Sequence, residues 1–357
     1  MEVISGNGDQ NKNQYYQGIL LSSVSESRSS TVFWSVVYGG GGEEEDNDKC
    51  CVGGGDITTL HLTKLDFPDH LDAVKPGVNG ETAACRLSNS CHGLVCVVVS
   101  RDTVVIWNPS LQEYKVIPMS SSTFSSSSSD DIFGIGYDSV TDDYKIVRFP
   151  SIHCDSEHSP RNRIEVFSLK KTNSWKTIQD SRGGHGDFPY LVLQHSRAIT
   201  VNGRPHWNED TNILYFDASQ ECLGEMSWPE TTGMGTGLVI ESLQQLRGWL
   251  GVHMSEMWSH HELWIMKEYG VKESWTRLLR IPAMMPEPTG SPNADVFLPL
   301  EPFRVTRDGN VLLKLAHHGF FLYNPKNGTY KKFNLPQEIT SYIEDIPYIE
   351  SAVSPLK

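Results

Sequence analysis

Several short patterns in this sequence carry residue types capable of chemistry. Residues 233–237 read GMGTG. A phosphate-binding glycine loop needs a preceding strand, a following helix and G-x-G-x-x-G spacing, so that amide N–H groups face the phosphates. Here the spacing is G-x-G-x-G after MSWPETT, and the stretch reads as a connecting loop. Asp138, Asp142 and Asp143 cluster in YDSVTDDYK. Calcium loops place oxygen donors at alternate positions, then a glycine and a distant glutamate. That spacing is missing, and the segment, flanked by IFGIGY and YKIVRF, reads as a hairpin whose Asp side chains cap turns. His260-His261 and His317-His318 occur without an H-E-x-x-H helix or cysteine pairs at zinc spacing, so no metal set and no cofactor is assigned. No G-x-S-x-G nucleophile elbow occurs, and no catalytic residue is assigned. One stretch remains, LRGWLGVHMSEMWSHHELW (246–264). Its Trp249, Met254, Met257, Trp258 and His260 are expected to divide between core and an exposed partner-binding loop, where aromatic and Met side chains concentrate.

The elements that must position these residues are short strands. GLVCVVV (93–99) turns at Ser100-Arg-Asp102 into TVVIWN, and AITV (198–201) turns at Asn202-Gly203 into RPHW. FRVT (303–306) turns at Arg307-Asp-Gly309 into NVLLKL, which turns at His318-Gly319 into FFLYN. Asn-Gly and Asp-Gly pairs between apolar runs are hairpin signals, because tight hairpin turns need positive φ. One phrase is written twice: WNPSLQEYK at 107–115 and YNPKNGTYK at 323–331. Trp107, Asn108, Pro109 and Tyr114 thereby match Tyr323, Asn324, Pro325 and Tyr330, with Trp175 and Trp275 at the corresponding place in looser copies. The copies begin at 104, 164, 213, 263 and 320, and ITTLHLTKLDFP (57–68) reads as a degenerate earlier unit. A period near fifty residues with several strands per unit predicts an all-β propeller of about six antiparallel four-stranded blades, within a range of five to seven. The repeated aromatics are expected to pack between blades.

Length and composition fit that fold. A chain of 357 residues with 38% hydrophobic and 10% aromatic content can bury a sizeable core. The formal charge of −14 argues against a nucleic-acid partner, which would require a basic face. Five of the acids lie in EEEDND at 43–48. Seven cysteines in a chain this long read as reduced thiols of the cytosol or nucleus. The first residues carry no signal-peptide pattern, and no run of eighteen apolar residues predicts a membrane span. Residues 1–16 are expected as a flexible tail and 17–340 as the propeller, with mobile loops at 39–55 and 119–131. Residues 341–357 are expected as a C-terminal tail, helical or irregular.

CHGLVCV, VIWNPSLQEYKVIP, FGIGYDSVTDDYKIVRF, IEVFSLKKTNSWKTI, VNGRPHW, LWIMKEYGVKESWTRL and FFLYNPKNGTY follow one another in order. Together they resemble the F-box-associated interaction domain of plant F-box proteins, from about residue 85 to 336. The resemblance implies a kelch-like propeller that recruits a target protein to an SCF-type, cullin-based ubiquitin ligase, without catalysis of its own. That family normally carries an F-box of about forty residues first, and residues 1–60 contain no such Leu- and Arg-rich helical stretch. The ligase adaptor and cullin are therefore expected as partners only if an F-box precedes this chain. Otherwise the chain is a decoy that competes for the target. The alternative reading is a propeller enzyme or carbohydrate binder with an axial pocket.

Overall fold

The computed structural model describes residues 17–24, 31–40, 57–68, 71, 85–100, 103–118, 131–150, 163–179, 197–209, 211–230, 237–256, 259–286, 295–297, 300–306, 309–315, 319–333 and 342–357. Among them, strands follow one another through tight turns, as the alternation of β-branched runs with Asn, Asp and Gly dictates. β1 (Gln17–Val24), β2 (Thr31–Gly40) and β3 (Ile57–Leu65) belong to the first blade. The second comprises β4 (Arg86–Cys91), β5 (Leu94–Ser100), β6 (Thr103–Asn108) and β7 (Glu113–Pro118). The third comprises β8 (Ile132–Asp138), β9 (Asp143–Phe149), β10 (Arg163–Ser168) and β11 (Trp175–Gln179). The fourth comprises β12 (Ile199–Val201), β13 (Arg204–Asn208), β14 (Ile213–Asp217) and β15 (Cys222–Met226). The fifth comprises β16 (Leu238–Leu246), β17 (Trp249–Glu256), β18 (His260–Met266) and β19 (Trp275–Pro282). A two-stranded ribbon of β20 (Met284–Pro286) and β21 (Asp295–Phe297) precedes the sixth blade. That blade is β22 (Leu300–Val305), β23 (Val311–Leu315), β24 (Gly319–Asn324) and β25 (Thr329–Phe333). β26 (Tyr342–Ile349) then returns to pair antiparallel with β1, so the first blade takes its innermost strand from the far end of the chain.

The expected all-β propeller of six four-stranded blades is therefore present. The segment expected as a C-terminal tail is a closing strand instead. Pro347 and the acidic pair Glu344-Asp345 disguise it in the sequence. Pro347 is tolerated because β26 has a ladder partner on one side only. The acids are used between blades: Lys314 Nζ pairs with Asp345, and Leu87 N donates to Glu344. ITTLHLTKL, read as a degenerate unit, supplies β3, whose partner strand is TVFWSVVYGG. Of the loops expected as mobile at 39–55 and 119–131, Gly39 and Gly40 instead end β2 and Asp131 accepts from Arg148 Nε (2.7 Å). The rest of both, and the tail expected at 1–16, lie outside the described residues.

Each blade is apolar on both faces, and the core is divided into six layers, one between each pair of neighbours. Phe33, Trp107 and Tyr348 pack between blades one and two; Ile106, Ile135 and Phe167 between two and three. Phe149, Trp207 and Phe216 fill the next layer, and Met254, Met266 and Trp275 the one between four and five. Val311, Phe321 and Tyr323 lie between five and six, and Ile19, Phe320 and Leu322 close the ring between six and one. This double covering explains β9, in which all seven residues are buried, including Lys145 and Arg148. Both charges are paired. Arg148 Nη1 lies 2.8 Å from Glu165 Oε2, and Lys145 Nζ lies 3.0 Å from Asp138 and 2.8 Å from Glu221 of the next blade. At the axis the first strands meet directly: Asn89 of β4 donates to Ile135 O (3.0 Å) on β8 and to Thr200 Oγ1 (2.7 Å) on β12.

The repeated phrase is architectural. Trp107 pairs across its hairpin with Tyr114, Tyr323 with Tyr330, Phe167 with Trp175 and Met266 with Trp275. Each outer-strand aromatic leans on the preceding blade. Trp175 Nε1 donates to Pro118 O (2.5 Å) and Trp275 Nε1 to Ser227 O (3.0 Å). No helix among the described residues is long and apolar enough to cross a membrane.

Two outcomes follow from this core. Trp107 is 1% exposed and contacts Phe33 and Phe67 rings at 5.3 and 5.0 Å. Trp107→Ala should cost roughly 3–5 kcal/mol, read as a lowered denaturant midpoint; an unchanged midpoint would remove Trp107 from the core. His206 is fully buried, with Nδ1 3.1 Å from Ile199 O and Nε2 2.8 Å from the Tyr269 hydroxyl. Burial lowers its pKa from 6.5 to about 4. The folded state thus keeps His206 neutral while the unfolded chain takes up a proton, so stability is full above pH 6.5 and declines as pH falls toward 4. That loss is on the order of 3 kcal/mol. Stability curves between pH 7 and 4 should be shallower for His206→Gln than for the parent, and parallel curves would contradict the assignment.

Candidate interaction face

In blades two to five the turns joining first to second and third to fourth strands lie on one face of the propeller, as does the β24–β25 turn, and four of these are built alike. In each, a strand pair closes a four-residue turn: Asn108 with Glu113, Asp138 with Asp143, Asp217 with Cys222 and Asn324 with Thr329. The first residue is always Asn or Asp, because its side-chain oxygen accepts the free N–H groups inside the turn. Asn108 Oδ1 accepts from Ser110 N (2.9 Å), Asp138 Oδ1 from Val140 N (2.9 Å), Asp217 Oδ1 from Ser219 N (2.9 Å) and Asn324 Oδ1 from Lys326 N (2.9 Å). The last turn residue is left-handed, with φ of 56° at Gln112, 50° at Asp142, 51° at Glu221 and 69° at Gly328. The tighter turn at Asn202-Gly203 has φ of 52° and 73°, as the Asn-Gly pair requires. Of the three acids expected to cap turns, Asp138 caps its own turn and Asp143 Oδ1 accepts from Lys170 N (2.9 Å) of the next, whereas Asp142 binds side chains instead. Burial alone would raise the Asp138 carboxyl, but hydrogen bonds from Thr141 and Lys145 and from the Val140 amide outweigh it and hold the group well below the usual range.

The turns at 108–113, 138–143 and 202–203 border a cavity of about 1100 Å³ on this face. Its rim combines His92, Tyr137, Asp142, Tyr144, Lys170 and Asn202 with the segment that follows β26. The polar groups hold one another. His92 Nδ1 lies 3.1 Å from the Tyr144 hydroxyl, Tyr137 donates to Asp142 Oδ1 (2.8 Å), and Lys170 Nζ lies 3.1 Å from Asp142 Oδ2. The hydrogen bond from Tyr137 and the Lys170 ammonium lower the Asp142 pKa. Burial raises the Tyr144 hydroxyl and pushes the Cys91 thiol at the cavity floor up to about 12, which makes Cys91 an inert thiol. Residues 350–357 run across the same face. The Asn108 side-chain amide donates to Ser351 O (3.0 Å) and Val353 O (2.7 Å), and Ser354 Oγ donates to Glu113 Oε2 (2.5 Å).

Exposed large apolar side chains collect here as well. Leu111, Val140, Trp249, Val271 and Leu356 all sit in or beside turns of this face or in the segment crossing it, with Val140 79% and Trp249 38% exposed. Apolar groups gathered on one surface mark interaction sites more than scattered ones do.

Of the five residues singled out between 249 and 260, the three described ones, Trp249, Met254 and His260, are not brought together. Trp249 opens β17 on this face, whereas His260 opens β18 at the opposite end of the same hairpin and is 5% exposed. Between them Met254 is 0% exposed in the layer joining blades four and five. Met257 and Trp258 lie outside the described residues, as do residues 233–236 of the glycine loop and His317-His318. His261 stacks its ring nitrogen 3.0 Å from His253 inside the blade. Sequence reasoning missed His92, Tyr144 and Lys170, because they come from the β4–β5 turn, the start of β9 and the β10–β11 turn and converge only when blades two and three pack. The one local signal was His92-Gly93, a tight turn with φ of 49° and 82°.

Comparison with known proteins agrees with this architecture. The profile of the F-box associated beta propeller domain matches residues 71–355. An F-box/kelch-repeat protein of Arabidopsis thaliana is 28% identical over 279 residues, which cover 76% of this chain and 69% of that protein. The F-box protein CPR1 of Arabidopsis thaliana is 29% identical over 211 residues, covering 54% of this chain and 51% of its own. The chain thus spans about half the length of CPR1. Among solved structures, apo AztD from Citrobacter koseri aligns over 95% of this chain and 99% of its own, at 9% identity and a TM-score of 0.44. With its six blades and a profile match across most of its length, this chain belongs to the F-box associated β-propeller domain family.

Proposed function

We propose that this propeller is the target-binding module of an F-box type ubiquitin ligase receptor and that it works by recognition, without catalysing a reaction. Family membership carries the role. The location rests on Leu111, Val140, Trp249, Val271 and Leu356, which are exposed on the same face as the cavity, with Leu111 in its lining. Rigid strands hold those side chains while the turns vary in length and sequence, the usual division between scaffold and recognition surface. The target is a protein whose apolar side chains seat against this rim, with the cavity receiving a projecting group. Adaptor and cullin join only through an F-box carried on the same polypeptide. The cavity's His92, Tyr137, Asp142, Tyr144 and Lys170 are engaged with one another, which suits a stiff binding rim better than an enzyme or carbohydrate site.

The test is cross-linked affinity capture from plant extract with the parent chain, with Val140→Asp combined with Trp249→Ala, and with Val239→Asp. Val239 is 59% exposed near the start of β16, on the opposite face. A discrete protein should be enriched by the parent and by Val239→Asp and lost with the double variant. Appending an F-box should render that protein a ubiquitination substrate in a reconstituted ligase. Loss of capture with Val239→Asp alone would place the target on the other face, and an unmodified target would sink the ligase role.

A further inference from the structure

The two copies of the repeated phrase differ in what their asparagines hold. Asn324 and Asn108 both cap turns, but the Asn108 amide also carries the carbonyls of Ser351 and Val353. Ser351 lies against Gly93, where an added Cβ would meet Ser351 Oγ at 2.3 Å, so the segment runs directly over the β4–β5 turn. Val353 packs on the apolar layer that contains Cys91, and Pro355 is buried. The last tie is Ser354, whose hydroxyl donates to Glu113 and accepts from Leu356 N (3.2 Å). Ala352, Leu356 and Lys357 face solvent. The residues from that hydroxyl onward read Ser354-Pro355-Leu356-Lys357. A serine followed by proline, with a cation three positions after the serine, is the local chemistry that proline-directed protein kinases accept.

We propose that Ser354 is a phosphorylation site and that its modification releases segment 350–357 from the face and opens the cavity. The inference goes beyond the target-binding role and does not depend on it. The Ser354 oxygen attacks the γ-phosphorus of a nucleoside triphosphate held by the kinase. A new P–O bond forms, the bridging bond to the β-phosphate breaks, the nucleoside diphosphate leaves, and the hydroxyl proton passes to the kinase base. That proton is the one that bridged Ser354 to Glu113. In its place stands a group of charge about −1.5 to −2 beside a carboxylate, which favours separation. Lys170 shares the cavity, but its ammonium is already paired with Asp142.

The test uses the full chain treated with a proline-directed kinase and ATP, and the same chain carrying phosphoserine at 354 by semisynthesis. Peptide mapping should find phosphate on Ser354 in the parent chain and none on residue 354 in Ser354→Ala, independent of any phosphate added at Ser159-Pro160 or Ser291-Pro292. Release is read by thiol labelling of Cys91, which is 2% exposed in the cavity wall. Phosphorylated chain should label about tenfold faster or more, the scale expected for two to three charges brought to contact. Glu113→Gln should reduce that acceleration, because the repelling carboxylate is gone. Kinase treatment that leaves Ser354 unmodified would overturn the site. Labelling that is unchanged or slower in the phosphoserine chain, or equally accelerated in Glu113→Gln, would overturn the release.

Discussion

The pairing of β26 with β1 is the constraint on which the rest of the molecule depends. Every blade is apolar on both faces, so an open row of six would leave two such faces in water. Closing the row into a ring removes both, and one antiparallel ladder, from Gln17↔Ile349 to Ser23↔Tyr342, performs the closure. Cross-blade charges reinforce it. Lys314 of the sixth blade pairs with Asp345, and Arg197, just before the fourth, donates to the Asp345 carbonyl at 2.6 Å. Ile346 and Tyr348 on β26 then pack beside Trp107, so the closing strand also completes the layer between the first and second blades.

Scaffold and recognition surface share residues at the turns. An Asn or Asp at the end of a third strand satisfies the turn that it begins, and the aromatic just before it fills the layer against the previous blade. The geometry that makes blades stack thereby fixes where Leu111, Val140 and Trp249 project. Asn108 goes further and ties down the segment after β26. A local turn residue has become a tertiary anchor between positions 243 and 245 residues apart.

How much of this could be read in advance depends on the range of the interaction concerned. The Asn-Gly turn at 202–203, the Asp cluster at 138–143 and the duplicated phrase are local chemistry, visible within ten residues. They gave the strands, the turns and the blade period. The closing strand was not legible, because its proline and acids satisfy neighbours far away in sequence. The cavity was hidden for the same reason: His92, Tyr144 and Lys170 lie on two turns and the strand β9 and meet only through packing. The stretch from 249 to 260 divides between core and surface, with Met254 and His260 buried and Trp249 exposed. Its residues are neighbours in sequence, but β17 carries them from one face of the propeller through the core to the other.

Ring closure also sets the order of events during synthesis. Ile19 pairs with Pro347, so the first blade's second strand waits for a partner that leaves the ribosome more than three hundred residues later. Contacts of such sequence separation form slowly, and an unpaired strand edge is a template for association with other chains. Blades two to six can assemble in the order they emerge, but the ring cannot. β1 can pair with β2 as soon as both emerge, but its other edge stays open to association until β26 is made.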